Sequence, residues 1–217
     1  PAQSPLGDPH ALAHFIRKLR DHRQQVTVGI ATGRALEPAL RIMKRYGIPQ
    51  PDALITSVGT EIYYAPQLTA DQAWAKHIDY LGQRQKVAKV MSEIPGCELQ
   101  PKSSQSAFKL SYYIDLAQSP SHEEINSLLL QAELAVNTFL SFGQFLDIVP
   151  VRASKGFALR YFSNQWQIPL ERILVAGGSG TDEDMIRGNT LAVVVGNRHE
   201  EELAHLSDVE PLYYASG

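Results

Sequence analysis

The chain has 217 residues, 44% hydrophobic and 20% charged, enough for one large domain or a domain carrying a sizeable insertion. A formal net charge of -3, with lysine and arginine spread rather than clustered, leaves no electrostatic footprint for nucleic acid. Cys97 is the only cysteine, so no internal disulfide can form. With neither a signal-peptide pattern nor an apolar run of membrane length, the expectation is a cytoplasmic α/β protein that does not engage a membrane.

Asp8-Pro9 predicts a helix start, with Asp8 as N-cap and proline at the first helical position, and Leu12, Phe15, Ile16 and Leu19 follow at helical spacing. Val26 to Ala31 is a largely apolar run delivering Thr32-Gly33-Arg34, as a buried parallel strand delivers a loop at its C-terminal end. A helix over Glu37 to Tyr46 stops at Gly47. Asp52 to Ser57 predicts a second buried strand, and Thr60 to Tyr64 a hairpin arm after a turn at Gly59. Strands alternating with helices indicate a doubly wound parallel sheet.

From about residue 66 to 150 the pattern changes to two helical stretches and several alternating strands. Phe108, Leu110, Tyr112 and Ile114 share one face of Ala107 to Asp115. Ser121 and Glu124 form a capping box opening a helix to about Leu134, and strands are predicted over Ala135 to Leu140 and Gln144 to Val149. After Pro150 the parallel pattern resumes: a helix from Lys155, a strand over Arg172 to Ala176, a helix over Asp182 to Arg187, and strands Leu191 to Val195 and Pro211 to Ala215. Residues 1 to 7 carry no strand pattern, although the strand before the first helix is normally central to such a sheet, and its absence would leave a gap in the ladder. A fragment clipped at both ends is expected.

Three segments carry chemistry. They are Ala31-Thr32-Gly33-Arg34, Ser154-Lys155-Gly156, and the loop Gly177-Gly178-Ser179-Gly180-Thr181-Asp182-Glu183-Asp184-Met185 after the strand ending at Ala176. In this order around an insertion they resemble the haloacid dehalogenase (HAD) superfamily. The resemblance implies an α/β fold, a Rossmann-like parallel sheet over 1–65 and 151–217 with its first strand missing, and an inserted α+β C2-type cap over 66–150. It also implies roles. Thr32, Gly33 and Lys155 would hold phosphoryl oxygens, which suits a hydroxyl, backbone N–H groups and a lysine point charge. Arg34 would pair with substrate, and Asp182, with Asp184 as a second candidate, would bind Mg2+ through hard oxygen ligands. Each residue also has a structural reading: a capped strand-to-helix turn for Thr32-Gly33, solvated side chains for Lys155 and Arg34, and dipole-favoured charge for the acidic cluster.

Against the superfamily's Gly-Asp-x-x-Asn-Asp loop, Gly178 stands at the first aspartate and Thr181 at the asparagine. Leu6-Gly7-Asp8 resembles the tail of the first motif, which aligns Ala2 with the acid/base aspartate and leaves no nucleophile in the chain. The stretches Pro51 to Tyr64, Trp74 with Ile78, and Phe108 to Tyr113 look like sucrose-phosphate phosphatase and the related C-terminal domain of sucrose-phosphate synthase, and Gly177 to Met185, Arg187-Gly188-Asn189-Thr190 and Gly196-Asn197-Arg198-His199-Glu200-Glu201-Glu202-Leu203 are most similar to the synthase version. In such relatives the cap recognises the sugar, so the resemblance makes Lys109, Ser111 and Tyr112 substrate-binding candidates, although Tyr112 also falls with the apolar set of its strand. The expectation is a synthase-linked, phosphatase-like domain without phosphatase activity. It would have a glycosyltransferase in cis, Mg2+ binding weakened or lost, and a role in regulation, binding of sucrose 6-phosphate or a related sugar phosphate, or docking of a separate sucrose phosphatase. The alternative is an active Mg2+-dependent sucrose-6-phosphate phosphatase or another capped sugar phosphatase of the superfamily.

Overall fold

The computed structural model describes residues 9–198, 203 and 212–215. The proposed N-cap Asp8, the first-motif positions Ala2 and Leu6-Gly7-Asp8, and most of the 199–203 stretch lie outside the described residues. Helix α1 (Pro9–Asp21) leads to strand β1 (Gly29–Ala31), helix α2 (Leu36–Arg45) and strand β2 (Ala53–Thr56), which pairs parallel with β1. Every residue of β2 is buried, as expected of a parallel strand covered on both faces. The predicted strand from Val26 begins only at Gly29, because Val26 is exposed outside the ladder. Strand β3 (Glu61–Tyr64) returns antiparallel on β2, and β4 (Thr69–Ala70) pairs with β3.

Helix α3 (Gln72–Ile78) is capped by Asp71, whose carboxylate accepts from the Trp74 N–H. Trp74 is 2% exposed, donates its ring N–H to Gly59 O at 3.0 Å, and packs against Tyr161. Trp74 and Ile78 join Ile55, Val58 and Ile62 in one core cluster, so β4 and α3 pack with the first sheet although they fall after residue 66. The inserted body is built from α4 (Arg84–Met91), β5 (Cys97–Leu99), β6 (Leu110–Ile114), α5 (His122–Gln131), β7 (Val136–Ser141) and β8 (Phe145–Pro150). Three helices, not two, therefore occupy the middle segment. The capping box of Ser121 and Glu124 forms as expected. The insert's antiparallel sheet runs β5-β6-β8-β7. Its two faces differ: Leu110, Tyr112, Ile114, Leu146 and Ile148 bury against Val87, Met91, Ile125 and Leu129 of the helices, leaving the alternate residues on the other face.

Helix α6 (Lys155–Gln165) then leads to β9 (Leu174–Gly177), a 3-10 turn (Gly180–Asp182), the short helix α7 (Glu183–Ile186), β10 (Leu191–Val194) and β11 (Leu212–Tyr214). The last three strands form a second parallel sheet in the order β11-β10-β9. Ala31 packs against the cores of both core-domain sheets, so β1 lies on the side of its sheet that faces β9. No ladder joins them among the described residues. Pairing of Thr32 N to Ile55 O and Ala53 N to Val28 O directs the amide groups of Gly29 and Ala31 away from β2, toward that junction.

Trp74 is the bolt that fastens α3 to the turn after β2. Trp74→Ala is expected to destabilise the protein by about 3–5 kcal/mol, measured from the urea unfolding midpoint.

Candidate active site at the strand ends

Four segments converge where the parallel strands end: Thr32-Gly33-Arg34 after β1, Ser57-Val58-Gly59 after β2, Ser154-Lys155 at the start of α6, and 178–184 after β9. The first two are tied by backbone bonds, Val58 N to Thr32 O at 3.2 Å and Ser57 N to Arg34 O at 2.8 Å. Ser57, Val58 and Gly59 all have positive φ, at 52°, 59° and 87°, an uncommon run for which a fully buried valine is ill suited. The reason for Gly59 is contact: a Cβ there would overlap the Ser154 carbonyl and come within 2.6 Å of the Lys155 nitrogen. This close approach brings the start of α6 against the loops after β1 and β2.

Lys155 is the centre of the site. It is 5% exposed, and its Nζ donates to Thr181 Oγ1 at 2.8 Å and to Asp182 Oδ1 at 2.7 Å. An ammonium has three N–H donors, so one remains after these two bonds. The Thr32 hydroxyl accepts from the Arg34 N–H at 3.2 Å, and the Gly33 N–H has no partner among the described residues. Arg34 itself is exposed. Together these groups offer positive charge and donors to a small anion at the ends of parallel strands, where such sheets hold their ligands.

Asp182 does not present a free carboxylate. Its Oδ1 takes the Lys155 ammonium, and its Oδ2 accepts from the N–H groups of Gly178 (3.0 Å) and Ser179 (3.1 Å) and the Ser179 hydroxyl (2.9 Å). Burial pushes its pKa up, but the Lys155 charge and hydrogen bond, with the two backbone donors, outweigh that and hold it below the ordinary carboxylate value. Asp184 is turned elsewhere, with Oδ2 accepting from the Gly156 N–H at 3.1 Å and from the Ser154 hydroxyl, so it braces the start of α6 instead of joining Asp182. Gly178 offers no ligand, and a Cβ there would lie 2.6 Å from Val195 Cγ2. No group of three His, Cys, Asp or Glu able to hold a metal occurs among the described residues. Asp182 Oδ1 carries only the Lys155 bond and Asp184 Oδ1 is buried with no hydrogen-bond partner among the described residues, so both carboxylates keep lone pairs, but they turn to different partners and are not gathered into one ligand set.

Above this site stands the open face of the insert's sheet. Lys109 Nζ reaches Asp147 Oδ1 at 2.9 Å and Ser111 Oγ at 2.6 Å, and the Ser111 hydroxyl also bonds the same carboxylate oxygen. Lys109 and Ser111 are 3% and 1% exposed, so they stand behind Asp147, whose Oδ2 would lie 3.9 Å from a Cβ built at Gly33. Asp147 is the residue that sequence reasoning missed. The available signal was an acid at an alternate position of the apolar run Phe145 to Val149. Tyr112 is not brought to the site: at 4% exposure it lies in the helix-facing core, because neighbours on a strand point to opposite faces.

A family model described as sucrose-6F-phosphate phosphohydrolase matches residues 3–217. Mannosylfructose-phosphate phosphatase of Agrobacterium fabrum is 31% identical over 88% of this chain and 78% of that protein. Sucrose-phosphatase 1 of Nicotiana tabacum is 30% identical over 84% of this chain, which spans only 44% of the plant protein. The sucrose-phosphatase of Synechocystis sp. PCC6803, solved in complex with sucrose and phosphate, superposes with a TM-score of 0.89 at 28% identity, covering 98% of this chain and 87% of that one. The fold is accordingly HAD-like α/β, a parallel sheet with a cap. The expectation of a synthase-linked domain without phosphatase activity is overturned, because these relatives are phosphatases, and the glycosyltransferase in cis finds no support among them. No helix among the described residues is long and apolar enough to cross a membrane.

Lys155→Met would leave the Asp182 charge buried beside two amides, and is expected to cost about 3–5 kcal/mol in unfolding free energy. The depressed pKa of Asp182 gives a signed pH dependence. Its contribution is complete well above the unfolded carboxylate value of about 3.9 and is lost as pH falls through the lower folded value. The stability difference between the protein and Asp182→Asn, read from urea midpoints, should hold steady from about pH 7 to 5 and shrink below about pH 4.

Proposed function

The chain belongs to the sucrose-6F-phosphate phosphohydrolase family, and from that premise we propose that it is a phosphatase of a phosphorylated disaccharide, with sucrose 6-phosphate as substrate. The observation that carries the proposal is the buried Lys155 ammonium, two of its donors fixed by Thr181 and Asp182, at the same strand ends as the Gly33 N–H, which has no partner among the described residues. The remaining Lys155 donor and the Gly33 N–H would take the charged oxygens of the phosphoryl group, with the Thr32 hydroxyl at the same loop. Arg34, exposed at the rim, would meet the anion as it enters.

The sugar would extend from that phosphate toward the cap. Asp147 is suited to accept sugar hydroxyls through Oδ2, while Lys109 and Ser111 hold its Oδ1 in place. Mg2+ is the ion typical of such phosphatases, and its affinity here is expected to be low, since Gly178 has no side chain and both Asp182 oxygens are engaged. Mannosylfructose phosphate is a second substrate of the same class, favoured by the 31% identity to the Agrobacterium enzyme.

The test is release of inorganic phosphate from sucrose 6-phosphate, mannosylfructose phosphate and fructose 6-phosphate in Mg2+-containing buffer. Disaccharide phosphates should be preferred, and Lys155→Met should lower kcat/KM about 100-fold or more. No release from either disaccharide phosphate would overturn the proposal.

A further inference from the structure

A cavity of about 410 Å3 lies where the cap joins the core. Leu110 and Ile148, paired across β6 and β8, line it from the helix side of the cap sheet, so it stands on the opposite side of that sheet from Asp147. Ile78, Val87, Phe108 and Val149 complete an apolar wall. Both connections between core and cap border it: residues 79–83 between α3 and α4, and Pro150-Val151 at the end of β8. Each connection is latched near the start of β7 by a side-chain amide. Gln83 donates from Nε2 to Glu133 O at 3.1 Å and accepts from the Ala135 N–H at 2.8 Å, while Asn137 donates from Nδ2 to Val151 O at 2.9 Å and Ala153 O at 3.1 Å. The Arg152 guanidinium lies 3.8 Å over the Tyr80 ring and ties one connection to the other. Gly82, at a φ of 55°, leaves an opening, since a Cβ there would meet nothing within 4 Å. At the rim Arg84 gives one of its five N–H donors to Lys109 O at 2.7 Å, and the others have no partner among the described residues. Asp79 stands at the same rim, outnumbered by the guanidinium groups of Arg84 and Arg152.

The geometry points to this cavity as a binding site for a small apolar ring compound bearing one carboxylate, whose occupancy regulates the phosphatase. The regulatory part rests on the phosphatase reading, and the binding site does not. Enclosed apolar surface of this volume with a few placed polar groups is what a small-molecule site consists of, and apolar cavities take rings in preference to water. The rim selects the charge. A guanidinium with donors to spare receives a carboxylate through two parallel bonds, so a ring held between Leu110 and Val149 would carry its acid group toward Arg84. Regulation follows from what the occupant touches. It meets both connections at once, and its anchor Arg84 holds the carbonyl of Lys109, whose ammonium holds Asp147 on the other side of the sheet. A ligand that fits one position of the cap better than another shifts the cap toward that position.

The test is an NMR titration of the whole chain with 2-naphthoate, joined to phosphate-release kinetics on sucrose 6-phosphate with and without the probe. Binding should saturate with a Kd of about 1 mM or tighter, shift the amides of Tyr80, Gly82 and Arg84, and persist in saturating inorganic phosphate. Ala135→Phe, which puts a ring into the cavity from its wall, should weaken binding about ten-fold or more while the urea midpoint stays close to that of the unaltered protein. Arg84→Met should weaken 2-naphthoate about five-fold or more and leave the uncharged 2-naphthylmethanol as it was. With the cavity filled, the KM for sucrose 6-phosphate should change about two-fold or more. The site is overturned by the absence of saturable binding, by a folded Ala135→Phe variant that binds equally well, or by displacement of the probe by phosphate, which would put it at Lys155. Equal loss of both probes in Arg84→Met would overturn the carboxylate assignment, and unchanged kinetics with the cavity saturated would overturn the regulatory role. An unaltered protein that binds 2-naphthoate but releases no phosphate from either disaccharide phosphate would overturn the phosphatase reading while supporting the site.

Discussion

The bond between Lys155 and Asp182 is the interaction on which the site depends. It joins the first residue of α6 to the turn after β9, with only 6% of the lysine side chain and 12% of the aspartate side chain exposed. Such a pair contributes little net stability, because desolvation offsets most of the attraction. Its value lies in position. Lys155 is held by Thr181 and Asp182, Asp182 is held by the amides of Gly178 and Ser179, and the Gly59 contact sets the start of α6 against the loops after β1 and β2. A charge fixed in this way needs no rearrangement when an anion arrives.

The same pair shows how the acidic loop is used: Asp182 satisfies Lys155 and the amides of Gly178 and Ser179. Asp184 braces Ser154 and Gly156, and Gly178 has room only for a hydrogen, with Val195 against it. The acidic residues Asp182 and Asp184 thus hold Lys155 and the start of α6 in place.

The cap adds a second asymmetry. One face of its sheet is sealed by α4 and α5, and the other carries the Lys109-Ser111-Asp147 cluster, with Asp147 turned toward Gly33 at the strand ends of the core. Burial of Lys109 and Ser111 behind Asp147 converts three polar residues into one oriented carboxylate oxygen. An oriented acceptor distinguishes sugars by the direction of their hydroxyls better than a mobile one could.

Much of this was legible in the amino-acid sequence because it is local. The alternation of apolar runs and helical spacing identified β2, α2, α6 and the capped helix α5, and the loops at Thr32, Lys155 and Gly178 stood out because their residue types follow strand ends. The absence of a carboxylate at Gly178 was equally visible, but the conclusion that the protein lacks phosphatase activity did not follow from it, since relatives matching 88% and 98% of the chain are phosphatases. What only the tertiary structure decided is direction. The oxygens of Asp182 turn to Lys155 and the amides of Gly178 and Ser179, Asp184 turns to α6, and Asp147 turns toward Gly33 while Tyr112 lies in the helix-facing core of the cap. These outcomes depend on the register between strands and on the approach of segments more than a hundred residues apart, and the local pattern of a chain holds no record of either.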